Sequence, residues 1–361
     1  MLAIGSSEIG GGQKVFLSLA KELHSRGYPA VVVLPEGPLV ELVKPYATRV
    51  HIADLASVTS LPRIARILWA EPAGVIDAHL TKCALLFAFA NLLFRRRLYC
   101  TLFNAVTHEA LGPTQRRVYP ALCRLLQWLA DGIIVNSEQN KQHVVAVTGM
   151  DPDSVKVIYS GIDIRGFSAQ QQERRPGEPF VIGAVGRLSP EKGHIFLVRA
   201  LAHLKHINFL CLIAGEGPLR QELEQAATEE GVAYRIRFLG FQANVAQVMS
   251  QMDVVVMPSL DETFGLTIVE AFALRKAVIA SEVGGIPELV RHGRTGWLVP
   301  PRDSAALASA IEHAFANPSV CQRIGQTAYE FAVANFTTAL MADRTLEHLG
   351  LLSHPAEASG Q

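Results

Sequence analysis

The sequence predicts two doubly wound α/β domains facing each other across a cleft, and three observations predict it. Short apolar, β-branched runs alternate with longer amphipathic stretches, the pattern of parallel strands joined by crossover helices. That alternation is interrupted once, by the polar segment SAQQQERRPGEP at 168–179, and then restarts. The chain's 361 residues, 49% of them hydrophobic, exceed one ordinary core and suffice for two.

In the first half, Leu2-Ala3-Ile4, Ala30 to Leu34, Gly74-Val75-Ile76 and Gly132 to Val135 read as strands. Between the first two, Val15, Phe16, Leu19, Ala20 and Leu23 recur at helical spacing from Gly12 to Arg26, and Gly27 supplies the stop. Segment 168–179 has two prolines and no apolar periodicity, so it reads as a linker. Beyond it, Phe180 to Val185, Phe209 to Ile213, Val254 to Met257 and Ala277 to Ala280 read as strands. The expected division is a first Rossmann-like domain over 1–167, a linker over 168–179 and a second Rossmann-like domain over 180–335. Residues 336–361 are expected to form a helix returning to the first domain, with a disordered tail from His354.

Lys plus Arg and Asp plus Glu balance at 33 each, which argues against a nucleic-acid binder. The five cysteines are scattered without a CxxC pair, so neither a zinc site nor a disulfide framework is expected, and reduced thiols fit a cytoplasmic protein. Leu2 to Gly5 opens without a basic and apolar leader, so no signal peptide is expected. The apolar run Cys83 to Phe94 is too short to span a bilayer and ends in Arg95-Arg96-Arg97. Two readings stay open for it: a peripheral contact with an anionic membrane, or a buried helix whose terminal cations complement its dipole.

The chemistry-bearing segments follow the strands. Gly10-Gly11-Gly12 lies between a strand and a helix, where backbone N–H groups approach an anion. It is not GxxxxGK[ST], so a kinase or ATPase lacks its main part, and no GxGxxG supports an oxidoreductase. After Val185, Gly186 and Arg187 lead to Lys192: a planar fork and a mobile point charge that suit a phosphate-bearing ligand, or simply solvated loop charges. Gly215-Glu216-Gly217-Pro218 repeats the loop theme after the next strand. In PSLDETFGLTIVEA, Glu262 falls in a loop, Phe264-Gly265-Leu266 at a helix start and Glu270 in the first turns. Carboxylates there suit polyol recognition, since each accepts from two sugar hydroxyls; Glu270 equally suits a helix-dipole contact. Ser281 to Glu288 places another glycine pair at a loop-to-helix start.

Together, VGRLSPEKG, AGEGP, PSLDETFGLTIVEA, IASEVGGIPELV, TGWLVPPRD and the glycine turn at 10–12 resemble the family 4 retaining glycosyltransferases of GT-B fold, two Rossmann-like domains. The resemblance covers most of the second half and the first turn of the first; residues 39–129 match loosely. It implies that Arg187, Lys192 and Glu262 are catalytic, the cations holding the diphosphate as it leaves and Glu262 the transferred sugar. It further implies that Gly11, Gly12, Gly186, Gly215, Glu216, Phe264, Gly265, Leu266 and Glu270 bind the donor, Glu270 through the ribose. The implied donor is a nucleotide-sugar, UDP-sugar before GDP-sugar, with neither metal nor cofactor. The implied acceptor is a glycan or lipid-linked glycan of the cell envelope, met in the cytoplasm or at the inner face of its membrane. One departure concerns the acceptor side: many relatives carry a histidine where Phe103 and Asn104 stand here, which leaves Asn104, His79 and His108 as acceptor-side candidates. Asp151-Pro152-Asp153 spells DxD but belongs to no pattern of this family. The competing readings are a GT-B nucleotide-sugar epimerase and a non-catalytic nucleotide-sugar-binding subunit.

Overall fold

A computed structural model describes residues 1–103, 113–167 and 177–352, the side chains of 113–117 and 119 excepted. The chain forms two units, Met1–Gly161 with Thr337–Gln361, and Ile162–Phe336. The division falls ahead of residue 167 because the 3-10 turn Ile164–Phe167 packs with a helix of the second unit, Leu266–Ala273.

The first unit runs β1 (Leu2–Ile4), α1 (Gly11–Ser25), β2 (Val31–Leu34), α2 (Leu39–Val43), β3 (Arg49–Ile52), α3 (Leu61–Ala70), β4 (Val75–His79), α4 (Thr81–Asn91), β5 (Arg97–Leu102), α5 (Pro113–Leu129), β6 (Gly132–Val135), α6 (Glu138–Thr148) and β7 (Val155–Val157). Its sheet is parallel, in the order β3-β2-β1-β4-β5-β6-β7. With right-handed crossovers, that order puts α3 to α6 on one face and α1 and α2 on the other. The core follows the sequence pattern, with Val33, Ile76 and Leu98 of the strands packed against Ile64, Leu68 and Phe87 of the helices.

The second unit runs β8 (Phe180–Val185), α7 (His194–Ala202), β9 (Phe209–Ala214), α8 (Arg220–Glu229), β10 (Ile236–Gly240), α9 (Val245–Ser250), β11 (Val254–Met257), α10 (Leu266–Ala273), β12 (Ala277–Ser281), α11 (Ile286–Leu289), β13 (Trp297–Val299), α12 (Ser304–Ala316) and α13 (Pro318–Asn335). Its order, β10-β9-β8-β11-β12-β13, is again parallel. Ile182, Ile213 and Val256 anchor its core against Leu197, Leu201 and Ile311. The chain then returns to the first unit as α14 (Thr338–His348), which lies on α1 and buries Met341, Ala342 and Leu346.

In each sheet the strand order reverses direction once, at β1/β4 and at β8/β11. Open parallel sheets bind ligands outside the strand C-termini at that point, because adjacent loops diverge to opposite faces there and leave a crevice.

Candidate active site

The second unit fills that crevice with the residues singled out in the sequence. The loop after β8 carries Gly186, Arg187 and, closing a 3-10 turn, Lys192; the loop after β11 carries Glu262 and runs into α10. The two loops are tied together, Leu260 N–H donating to the Glu191 carbonyl at 2.8 Å. Lys192 Nζ donates to Glu262 Oε2 at 2.5 Å, joining one residue from each side of the crevice. Both side chains are largely covered, so this pair is screened less than a surface ion pair. Arg187 stays exposed.

Neighbouring loops interlock by close backbone approach. Gly215, at φ +144°, lies where a Cβ would come within 1.9 Å of the Gly186 carbonyl oxygen. Gly284, at φ +50°, stands in the same relation to the Glu262 carbonyl oxygen, and Gly285 N–H donates to that oxygen at 2.9 Å. A side chain at either place would push the loops apart. Glu216 is exposed, its Oε1 accepting from the Phe241 N–H at 3.3 Å and its backbone carbonyl from the Leu188 N–H at 2.9 Å.

The start of α10 faces the loops at the reversal point. Gly265, in the left-handed region at φ +100°, caps the helix without any side-chain hydrogen bond, and its carbonyl accepts from the Ile268 N–H at 2.9 Å. Phe264 itself is buried against Phe336, ring centroids 5.7 Å apart. Leu266 is half-buried, and Glu270, one turn further on, is buried at 4% exposure. Beneath the β8 loop lies His194, buried, with neither ring nitrogen in a well-formed hydrogen bond. Burial, helped by the Lys192 cation, pushes its pKa down from 6.5 to about 4.

In the first unit the same reversal point holds the glycine turn and His79. Gly10 caps α1 with no side-chain hydrogen bond, Gly11 is exposed with open space around it, and Gly12 faces the Phe103 ring, whose nearest carbon lies 3.0 Å from where a Cβ would stand. His79 is 1% exposed, between the rings of Phe16 and Phe103 at 5.0 and 5.4 Å. Its Nε2 meets Asp77 Oδ2 at 3.0 Å, while Thr101 Oγ1 donates to Asp77 Oδ1 at 2.8 Å; its Nδ1 has no partner. His79 is therefore packed between Phe16 and Phe103. Asn104 and His108 lie outside the described residues.

Sequence reasoning missed two features. The Asp77-His79-Thr101 network was signalled by the i, i+2 spacing of Asp77 and His79, which puts both on one face of a strand. Nothing in the spacing of Lys192 and Glu262 announced their pairing.

The comparisons with known proteins bear on this arrangement. Residues 9–165 match the family model described as Glycosyltransferase Family 4, and residues 167–331 the model described as Glycosyl transferases group 1. The chain belongs to the family 4 glycosyltransferases. It is 34% identical over 231 residues to a D-inositol 3-phosphate glycosyltransferase of Mycobacterium ulcerans, a match covering 59% of this chain and 50% of that protein. The chain thus spans about half the length of the curated relatives it matches. Among solved structures, Anabaena HepE in complex with UDP and glucose is similar over 97% of this chain and 99% of its own, at 28% identity and a TM-score of 0.84. A sucrose-phosphate synthase from Thermosynechococcus elongatus, at 23% identity and a TM-score of 0.77, shares the fold. Those neighbours are GT-B glycosyltransferases, and the two parallel-sheet units of this chain have that architecture.

Proposed function

We propose that the protein transfers a sugar, with retention of anomeric configuration, from a nucleoside-diphosphate-sugar to a glycan or lipid-linked glycan of a cell envelope. The observation that carries this reading is the convergence, at one reversal point, of Arg187, the Lys192–Glu262 pair, the start of α10 and the buried Glu270. Arg187 and Lys192 bring two cations to where a diphosphate would lie, and preorganised charge aimed at a leaving group is typically worth 10²–10³-fold in rate per donor. These cations do the work without a metal. Glu270 takes the ribose hydroxyls and Glu262 the transferred sugar. HepE is solved with UDP and with UDP-glucose, which favours a UDP-sugar here, with a GDP-sugar the second choice. The five buried cysteines fit a reducing, cytoplasmic setting.

Thermal stability against a panel of UDP-, GDP- and ADP-sugars with EDTA present tests this directly. A donor at 100 times its Kd should raise stability by about 2.7 kcal/mol. A shift confined to one nucleotide class, followed by sugar transfer in an acceptor screen, is the expected result. Donor turnover without any acceptor would mean an epimerase instead, and binding without turnover a binding subunit. Glu270→Ala should weaken binding of the bare nucleoside diphosphate; unchanged affinity would sink the ribose assignment.

A further inference from the structure

The first unit exposes an apolar surface at the edge opposite its glycine turn. A crossover helix runs antiparallel to the strands it joins, so the C-termini of α3, α4 and α5 all end where the strands begin. At those ends stand Trp69, 81% exposed, on α3, Leu93, 79% exposed, just past α4, and Trp128, 76% exposed, on α5, with Leu92 and Phe89 also exposed. The helices are neighbours in that order. Single exposed hydrophobics are ordinary on a protein surface, but two tryptophans and a leucine pair on three adjacent helix ends make a patch.

Exposed cations outnumber exposed acids around this patch, the acids at its rim being Asp131, three residues past Trp128, Asp151, whose N–H donates to Gln127 Oε1, and Asp153. Between Leu61 and Arg97 the only acids, Glu71 and Asp77, are buried, Glu71 being held below its usual range by the hydrogen bond from His51 and by Arg49. Arg63, Arg66 and Arg95 of the same stretch are exposed, as is Arg124 on α5. Arg96 turns inward, donating to the Leu68 and Glu71 carbonyl oxygens, which fixes the loop after α4 against the end of α3, and Arg97 donates to the Leu349 carbonyl. The body of α4 is buried, and among the described residues no helix is long and apolar enough to cross a membrane.

We propose that this edge of the first unit seats the protein on an anionic lipid bilayer, the two tryptophans and Leu92-Leu93 entering the headgroup boundary and the arginines meeting lipid phosphates. Tryptophan favours that boundary because its ring is apolar and its N–H is not. A patch of apolar side chains plus cations supplies the two signals that stable peripheral attachment needs. Gly11 and the end of β4 lie at the opposite sheet edge and stay uncovered.

Of the chain's tryptophans only Trp69 and Trp128 are exposed, Trp297 being buried at 7%, so fluorescence reports on the surface directly. With full-length protein and vesicles, the expected results are flotation with bilayers containing phosphatidylglycerol and not with phosphatidylcholine alone, and a severalfold loss of bound protein when salt rises from about 0.1 to about 0.5 M. Emission should shift to the blue and be quenched by brominated acyl chains, and Trp69→Phe with Trp128→Phe should remove that signal while flotation persists. Combined Trp69→Ser, Leu93→Ser and Trp128→Ser should abolish flotation while leaving the nucleotide-induced thermal shift intact. The proposal is overturned if the wild type neither floats nor is quenched, or if the serine variant floats as well as wild type. It is equally overturned if sedimentation shows the patch joining two copies of the chain in a salt-insensitive dimer that does not bind vesicles.

Discussion

The Lys192–Glu262 pair sets up a competition within the proposed donor site. Lys192 Nζ, proposed to meet the diphosphate, donates to Glu262 at 2.5 Å, so a donor placed as proposed must take it over. Removing the cation should cost about 1.5–3 kcal/mol, the worth of a charged hydrogen bond, or roughly 10–150-fold in the Kd of the bare nucleoside diphosphate for Lys192→Ala. Glu262→Gln should do the opposite to that ligand. It releases Lys192 and leaves nucleoside diphosphate affinity unchanged or a few-fold tighter, while sugar transfer falls. Calorimetric titration separates the two, and a tenfold weakening in Glu262→Gln would show that the carboxylate supports the diphosphate rather than competing for its cation. His194, below the same loop, adds a pH dependence. With a folded pKa of about 4 against 6.5 unfolded, it leaves the unfolded chain binding the extra proton between those values. Stability should hold above about pH 7 and decline as pH falls from about 6.5 toward 4, by up to about 3 kcal/mol at the lower end. His194→Gln should flatten this slope in urea unfolding at pH 7 and pH 5; an equally steep slope in the variant would assign it to other groups.

At the level of elements, the interlocking loops decide how firmly these residues are held. Gly284 and Gly293 both have positive φ, at +50° and +73°, but only Gly284 is crowded, a Cβ there meeting the Glu262 carbonyl oxygen at 1.9 Å. Gly293→Ala should therefore cost about 1–2 kcal/mol, the left-handed penalty alone. Gly284→Ala should cost more and also weaken donor binding, since the β11 loop must move. Thermal melts of the two variants compare these terms, and equal costs would mean that φ rather than packing sets the requirement. The elements most legible in the sequence were the ones buried on both faces. The runs that became β2, β8, β9, β11 and β12 are continuous in apolar residues, as central parallel strands must be. Outer strands hid themselves. Arg49–Ile52 and Ile236–Gly240 lie at sheet edges and mix charge with apolar residues, and Trp297–Val299 is three residues long. The β5 strand, though central, begins inside an arginine run, so its signal was diluted. Among the loop glycines, Gly215 and Gly284 mark backbone approaches that a Cβ would block, whereas Gly11 has open space around it.

Over the whole molecule, the residues proposed to bind the donor and the returning helix belong to different units, and this makes their roles separable. Arg187, Lys192, Glu262 and Glu270 all lie within Ile162–Phe336, whereas α14 belongs with the first unit. There it buries Met341 and Leu346, each worth about 1.5–3 kcal/mol on full burial. Arg97 donates to the Leu349 carbonyl at 3.0 Å, and Arg26 on α1 pairs with Asp343. Ending the chain at Phe336 would strip these contacts from α1 and from the strand edge around Tyr99, whose ring packs on His348 at 5.3 Å. The expected outcome is a first unit that unfolds at markedly lower temperature, loss of sugar transfer, and a second unit whose melting is still raised by a bare nucleoside diphosphate. Calorimetry of the truncated chain with and without nucleotide reads all of this. If the nucleotide no longer raised any transition, donor binding would depend on the first unit as well, and the residues of the β8 and β11 loops would be only part of the donor site.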